Sequence, residues 1–73
     1  MEIKANEYTP EELIKIIREW TELNQTEFGK SISRSQGAIK KYESGERDYT
    51  FKTFMTICKK HNIEITLTKK KHK

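Results

Sequence analysis

The sequence lacks the residues and runs on which several classes of protein depend. Its 73 residues include one cysteine, Cys58, so no intrachain disulfide can form, as is common in reducing compartments. No apolar run approaches the roughly 20 residues of a membrane span, and none near the N-terminus resembles a signal peptide. We therefore expect a cytoplasmic protein that has no membrane partner.

Groups suited to metal binding or catalysis are equally scarce. His61 and His72 have no companion ligands at metal-binding spacing, and Cys58 lies at a helical core position. The sequence has neither a serine, histidine and acid arrangement nor a glycine-rich phosphate loop. It therefore predicts no metal site, no cofactor and no enzymatic activity.

Charge is abundant and unevenly distributed. Charged residues make up 36% of the chain, and the formal net charge is +4. Residues 1–27 carry seven acidic and three basic side chains, a charge of −4, whereas residues 28–73 carry four acidic and twelve basic ones, a charge of +8. The basic C-terminal part favours a polyanionic partner such as nucleic acid.

Four capping signals predict four helices, each beginning after a residue whose side-chain oxygen can accept a backbone N–H. The caps are Thr9 for a helix from Pro10, Asn24 for one through Ile32, Ser35 for one from Gln36 to about Ser44, and Thr50 for one that stops near Asn62. Glu12 and Glu27 stand three residues after the first two caps, where a capping box needs them. Gly45 and Asn62 suit the left-handed conformation that ends a helix.

Apolar residues at helical spacing predict the inner face of each helix. They are Leu13, Ile16, Ile17 and Trp20 in the first helix, Phe28 and Ile32 in the second, Ala38, Ile39 and Tyr42 in the third, and Phe51, Phe54, Met55, Ile57 and Cys58 in the fourth. Gly29 costs about 1 kcal/mol relative to alanine inside a helix. We expect another helix to approach closely at this glycine.

The two ends of the chain have no apolar residues at helical spacing, and we expect them to flank a central helical domain. Residues 1–8 form an N-terminal arm, residues 9–62 the helical domain, residues 63–68 a strand-like extension with alternating β-branched residues, and residues 69–73 a disordered basic tail. We expect the strand-like extension to pair with residues 1–6 or with a second copy of the chain, because an unpaired apolar edge is an aggregation hazard.

The second and third helices, joined by a tight turn, have the pattern of a helix-turn-helix, whose second helix lies in the major groove of DNA. The resemblance to a known family rests on Arg18, Asn24, Gln25, Phe28, Gly29, Ser35, Ile39, Tyr42, Glu43, Gly45, Thr50 and Phe51. Over Leu13 to about Ile63 the chain resembles the Cro/repressor (XRE-type) helix-turn-helix family, and most of all its small phage regulators. The resemblance implies an all-α, lambda-repressor-like bundle of four to five helices, and the alternation over residues 63–68 adds a short C-terminal strand to this prediction.

The resemblance also implies roles for individual residues. Gln25 would contact a phosphate, Gln36 a base edge, and Lys40 and Lys41 bases or phosphates beside it. The complete set of candidate DNA- or partner-binding residues is Gln25, Arg34, Ser35, Gln36, Gly37, Lys40, Lys41 and Arg47. A structural ion pair between Arg18 and Glu43 would tie the first helix to the third.

Several residues depart from the family pattern. Gly37 stands where family members usually have a base-reading side chain, and Ser33 replaces the usual turn glycine. Glu46 and Asp48 occupy a loop in which Arg47 is the only positive charge.

Two functions from different classes follow. The first is a phage-type transcriptional regulator in the host bacterial cytoplasm that binds operator DNA through Gln36–Ser44, as a homodimer spanning two half-sites. The second is an antirepressor whose helix-turn-helix face binds a partner repressor and blocks its DNA binding, as the thinned basic surface around Gly37 favours. A third possibility, an antitoxin-like partner of a toxin, has no specific sequence feature in its favour.

Overall fold

The computed structural model describes residues 2–71 and is all-helical over that range, as the sequence predicts. One 3₁₀ turn, Ala5–Glu7, precedes the helices α1 (Pro10–Thr21), α2 (Gln25–Ser31), α3 (Gln36–Ser44) and α4 (Phe51–Lys60). Within the described range, each helix is too short or too polar to cross a membrane.

Side-chain caps begin all four helices at the predicted residues. The Thr9 hydroxyl oxygen accepts the Glu12 N–H at 3.2 Å, and the Glu12 carboxylate accepts the Thr9 N–H at 2.8 Å. Asn24 and Glu27 form the same reciprocal box at the start of α2. Ser35 and Thr50 each accept one N–H from the first turn of their helix. The starts of the helices are therefore decided by local chemistry that the sequence displays.

The core lies where α1, α2, α3 and the end of α4 meet. Its buried members are Ile14, Ile17, Phe28, Ile32, Ala38, Ile39, Tyr42, Ile57 and Cys58. The predicted inner faces of α2 and α3 are confirmed. In α1 the prediction was only partly correct. Ile14, which it left out, is fully buried, and of the predicted residues only Ile17 is buried, whereas Leu13, Ile16 and Trp20 are half-buried. A wide apolar face is compatible with several rotational settings of the helix. The helices packed against α1 decide which of its apolar residues lie innermost.

The predicted inner face of α4 is wrong at its N-terminal end. Phe51 is 65% exposed and Met55 is 52% exposed, while Ile57 and Cys58 are buried. The two exposed residues are four positions apart and therefore share one side of the helix. The other side of α4 packs on the core. The apolar face predicted from helical spacing was too wide because it included both sides.

The predicted strand is absent from residues 2–71. Residues 63–68 are extended but form no ladder. A strand needs a partner, and the arm that could have supplied one within the chain contains the Ala5–Glu7 turn instead. Ile63 packs against the core, and its N–H donates to the Cys58 carbonyl at 2.7 Å. Of the tail, Lys69–Lys71 are described without regular structure; His72 and Lys73, like Met1 of the arm, lie outside the described residues.

Candidate nucleic-acid interface

The turn between α2 and α3 is held by backbone geometry. Ser33 adopts a left-handed conformation, with φ of 59°. The Arg34 N–H donates to the Gly29 carbonyl at 2.8 Å, which closes the end of α2. A Cβ atom at Gly29 would lie 2.5 Å from the Arg34 carbonyl oxygen. The close approach at Gly29 therefore comes from the turn backbone and not, as predicted, from another helix.

This turn presents α3 with one face inward and one face outward. Ala38, Ile39 and Tyr42 are buried against the core. The opposite face is exposed and consists of Gln36, Gly37, Lys40, Lys41 and Ser44. A Cβ atom at Gly37 would have only the Ser35 hydroxyl nearby, at 3.9 Å, so packing does not require glycine there. The exposed face is free to contact a macromolecule.

An ion pair fixes α3 to α1. The Arg18 Nε donates to one Glu43 carboxylate oxygen at 2.5 Å, and its second nitrogen donates to the other at 3.1 Å. The remaining guanidinium nitrogen donates to the Leu23 carbonyl at 3.1 Å. Only 17% of the Arg18 side chain and 7% of the Glu43 side chain are exposed. The hydrogen bond with Glu43 raises the pKa of Arg18, against the opposing effect of burial.

Two glutamines extend this ion pair to the exposed face. The Gln25 Nε2 donates to Glu43 Oε1 at 3.2 Å, and the Gln36 Nε2 donates to Gln25 Oε1 at 2.8 Å. Gln25 is half-buried, and Gln36 is exposed at the first position of α3. The structure thus brings together four of the residues singled out from the sequence into one hydrogen-bonded group.

The other candidate residues lie outside that group. The Ser35 hydroxyl caps α3, and the Arg34 guanidinium reaches the Thr53 hydroxyl at 3.3 Å, toward the start of α4. Arg47 is exposed in the loop after α3, where its N–H donates to the Lys41 carbonyl. Sequence reasoning missed the contact of Arg34 with Thr53 and the link from Gln25 to Glu43. Both join residues at least 18 positions apart, and no local pattern reports such contacts.

Among solved structures, the chains similar to this one include three that match nearly its whole length. They belong to a HipB variant in complex with an O2 20mer (26% identity, TM-score 0.65, 97% of each chain), an MDT protein (27%, 0.64, 97% of this chain and 99% of that one) and a HipA–HipB–O2–O3 complex (27%, 0.64, 97% and 99%). No protein-family model matches the sequence, and no curated protein matches it significantly. The likeness covers nearly the whole chain and supports the XRE-type helix-turn-helix fold.

Proposed function

We propose that this protein is a small transcriptional regulator that binds operator DNA through the exposed face of α3. The observation that supports this most is the position of Gln36, which is exposed at the start of α3 and held by Gln25. Similar chains occur in HipB complexes with O2 and O4 20mers, which we interpret as operator oligonucleotides.

The chemistry of the exposed face suits this role. A glutamine side chain offers one acceptor and N–H donors, which match the N6 and N7 edge of adenine in the major groove. Lys40 and Lys41 are exposed beside Gln36 on the same helix, where their ammonium groups can neutralise phosphates. The face has few groups, which limits the sequence information that one copy can read.

We propose further that the regulator acts as a homodimer, because a single short recognition helix buries too little surface for tight specific binding. Two copies would read half-sites about 34 Å apart. The extended segment 63–68 is our candidate for pairing, since Ile65 is 39% exposed and Leu67 is 92% exposed. Sedimentation equilibrium of the protein and of an Ile65→Ser, Leu67→Ser double variant tests this proposal. A monomeric wild-type protein at micromolar concentration refutes it.

A mobility-shift titration against duplexes from the protein's own genomic neighbourhood tests the DNA-binding proposal. We expect a saturable complex that weakens steeply with salt. Gln36→Ala should lower affinity by roughly 1–3 kcal/mol and relax the preference at one base pair. Lys59→Ala, an exposed change on α4, is the control and should bind as the wild type does. Equal binding by the Gln36→Ala variant would show that Gln36 is not the reader.

The second candidate is a protein-binding role, either as the antirepressor predicted from sequence or as the subunit of a larger complex. One observation favours it, namely that a similar chain occurs in a HipA–HipB–O2–O3 complex. Adding the neighbouring repressor to the titration separates the functions. An antirepressor releases that repressor from DNA and forms no duplex complex alone, whereas a regulator binds the duplex by itself. The phage origin predicted from the sequence stays a prediction.

A further inference from the structure

The hydrogen bonds from Glu43 to Gln36 have only one chemically consistent direction. A carboxylate accepts hydrogen bonds and cannot donate them. Both oxygens of the Glu43 carboxylate accept hydrogen bonds from Arg18, and Gln25 turns its amide nitrogen toward one of them. The Gln25 carbonyl oxygen then faces Gln36 and can be satisfied only by a donor. Gln36 must therefore turn its own amide nitrogen inward.

This order leaves a defined pattern on the exposed side of Gln36. One N–H is used by Gln25, so the carbonyl oxygen and the second N–H remain for a ligand. An acceptor beside a donor matches adenine, which offers a donor at N6 and an acceptor at N7. The reversed amide would expose two N–H groups, and these match guanine, whose O6 and N7 both accept. The orientation of one amide thus separates two base preferences.

The hydrogen bonds that link Glu43, Gln25 and Gln36 form a relay, and its Glu43 end is held in place without DNA. Glu43 is fixed by two hydrogen bonds from Arg18, whose third guanidinium nitrogen is held by the Leu23 carbonyl. Both side chains are largely shielded from water. The amide of Gln36 is therefore oriented before any ligand arrives, which reduces the ordering cost of binding.

We infer that Glu43 is a positioning residue that sets the base preference of Gln36 through Gln25. This inference rests on the proposed DNA-binding function and adds a role to an ion pair that otherwise only joins α1 to α3. Glu43 touches no base itself. Its effect is on which base is preferred, and a merely structural ion pair would change only stability and overall affinity.

The test compares base preference in three variants. Affinities are measured for duplexes that carry A·T or G·C at the base pair read by Gln36. The wild-type protein should prefer adenine by roughly 5- to 150-fold. In Glu43→Gln the side-chain amide at position 43 donates as well as accepts, so the hydrogen-bond relay has no fixed direction. The ratio of affinities for the A·T and G·C duplexes should then fall to within about threefold. Gln25→Leu interrupts the hydrogen-bond relay and leaves the ion pair between Arg18 and Glu43 intact, and it should reduce the adenine preference to the same extent.

The stability control is Ile57→Val, which removes one buried methyl group far along the chain from these residues. It should lower the unfolding midpoint and keep the adenine preference. If Glu43→Gln and Gln25→Leu, both folded, also keep that preference, the inference is overturned.

A measurement on the free protein makes the inference testable even without DNA. The side-chain amide signals of Gln36 are recorded by ¹H–¹⁵N NMR in the wild type and in Glu43→Gln. We expect these signals to shift although Gln36 and Glu43 share no hydrogen bond, and the Ile57→Val spectrum should leave them in place. Unchanged Gln36 signals in Glu43→Gln would refute the inference that Glu43 orients the Gln36 amide through Gln25. Failure of the wild type to bind any duplex would instead refute the proposed function.

Discussion

The same chemical change, glycine to alanine, should have opposite effects on stability at Gly29 in α2 and at Gly37 in α3. Both residues are helical, and neither has a positive φ. Alanine is favoured over glycine in a helix by about 1 kcal/mol, partly because it restricts the unfolded chain. Any difference between the two sites must therefore come from the surroundings of the added methyl group.

At Gly29 the surroundings oppose the methyl group. A Cβ atom would lie 2.5 Å from the Arg34 carbonyl oxygen, and contacts below 3.0 Å essentially never occur, so the turn must move by about 0.5 Å. Overpacking of this kind costs about 1–3 kcal/mol. The movement also strains the 2.8 Å hydrogen bond from the Arg34 N–H to the Gly29 carbonyl. The gain of about 1 kcal/mol in helix propensity opposes this cost, so we expect a net loss of roughly 0–2 kcal/mol, which strain on the hydrogen bond increases.

At Gly37 the nearest atom to an added Cβ is the Ser35 hydroxyl oxygen at 3.9 Å, an ordinary contact. Gly37→Ala should therefore raise the free energy of unfolding by about 0.5–1 kcal/mol. Urea and thermal unfolding measure both variants, and each kcal/mol moves the Tm of a domain this small by about 4–8 °C. Stabilisation by Gly29→Ala, or destabilisation by Gly37→Ala, would refute the packing assigned to this turn.

Two further predictions concern a half-buried phenol, that of Tyr49, and an exposed lysine, Lys40. Burial, assisted by the nearby Glu11 charge, raises the pKa of Tyr49 from 10.0 to about 12. Folding thus favours the protonated phenol, and its contribution to stability is complete below pH 10 and is lost as the pH rises to about 12. Urea titrations at alkaline pH should show this loss of stability in the wild type and not in Tyr49→Phe. Ionisation of Tyr49 near pH 10 in an absorbance titration of the wild type would contradict the prediction. Lys40→Ala should reduce the slope of log affinity against log salt by about 0.9 if Lys40 neutralises one phosphate, and Lys59→Ala should leave the slope unchanged.

The candidate site shows the reach of sequence reasoning and where it stops. Ser35, Gln36 and Gly45 have local signatures, because caps and helix ends depend on residues a few positions apart. Their positions follow the prediction. The hydrogen bond between Gln25 and Glu43 joins two helices and has no local signature. Only the packing of α2 against α3 brings these side chains within reach of each other.

By itself, the sequence determined where the four helices begin, where α3 ends, that they form an all-α fold, and which side of α3 is apolar. These features depend on caps, spacing and left-handed stops that operate within one or two turns of chain. Tertiary structure alone decided that Ile14 is central, that Phe51 is exposed, and that residues 63–68 form no strand within the chain. Burial and strand pairing depend on what another segment places opposite a residue, and a periodic pattern is silent about that neighbour.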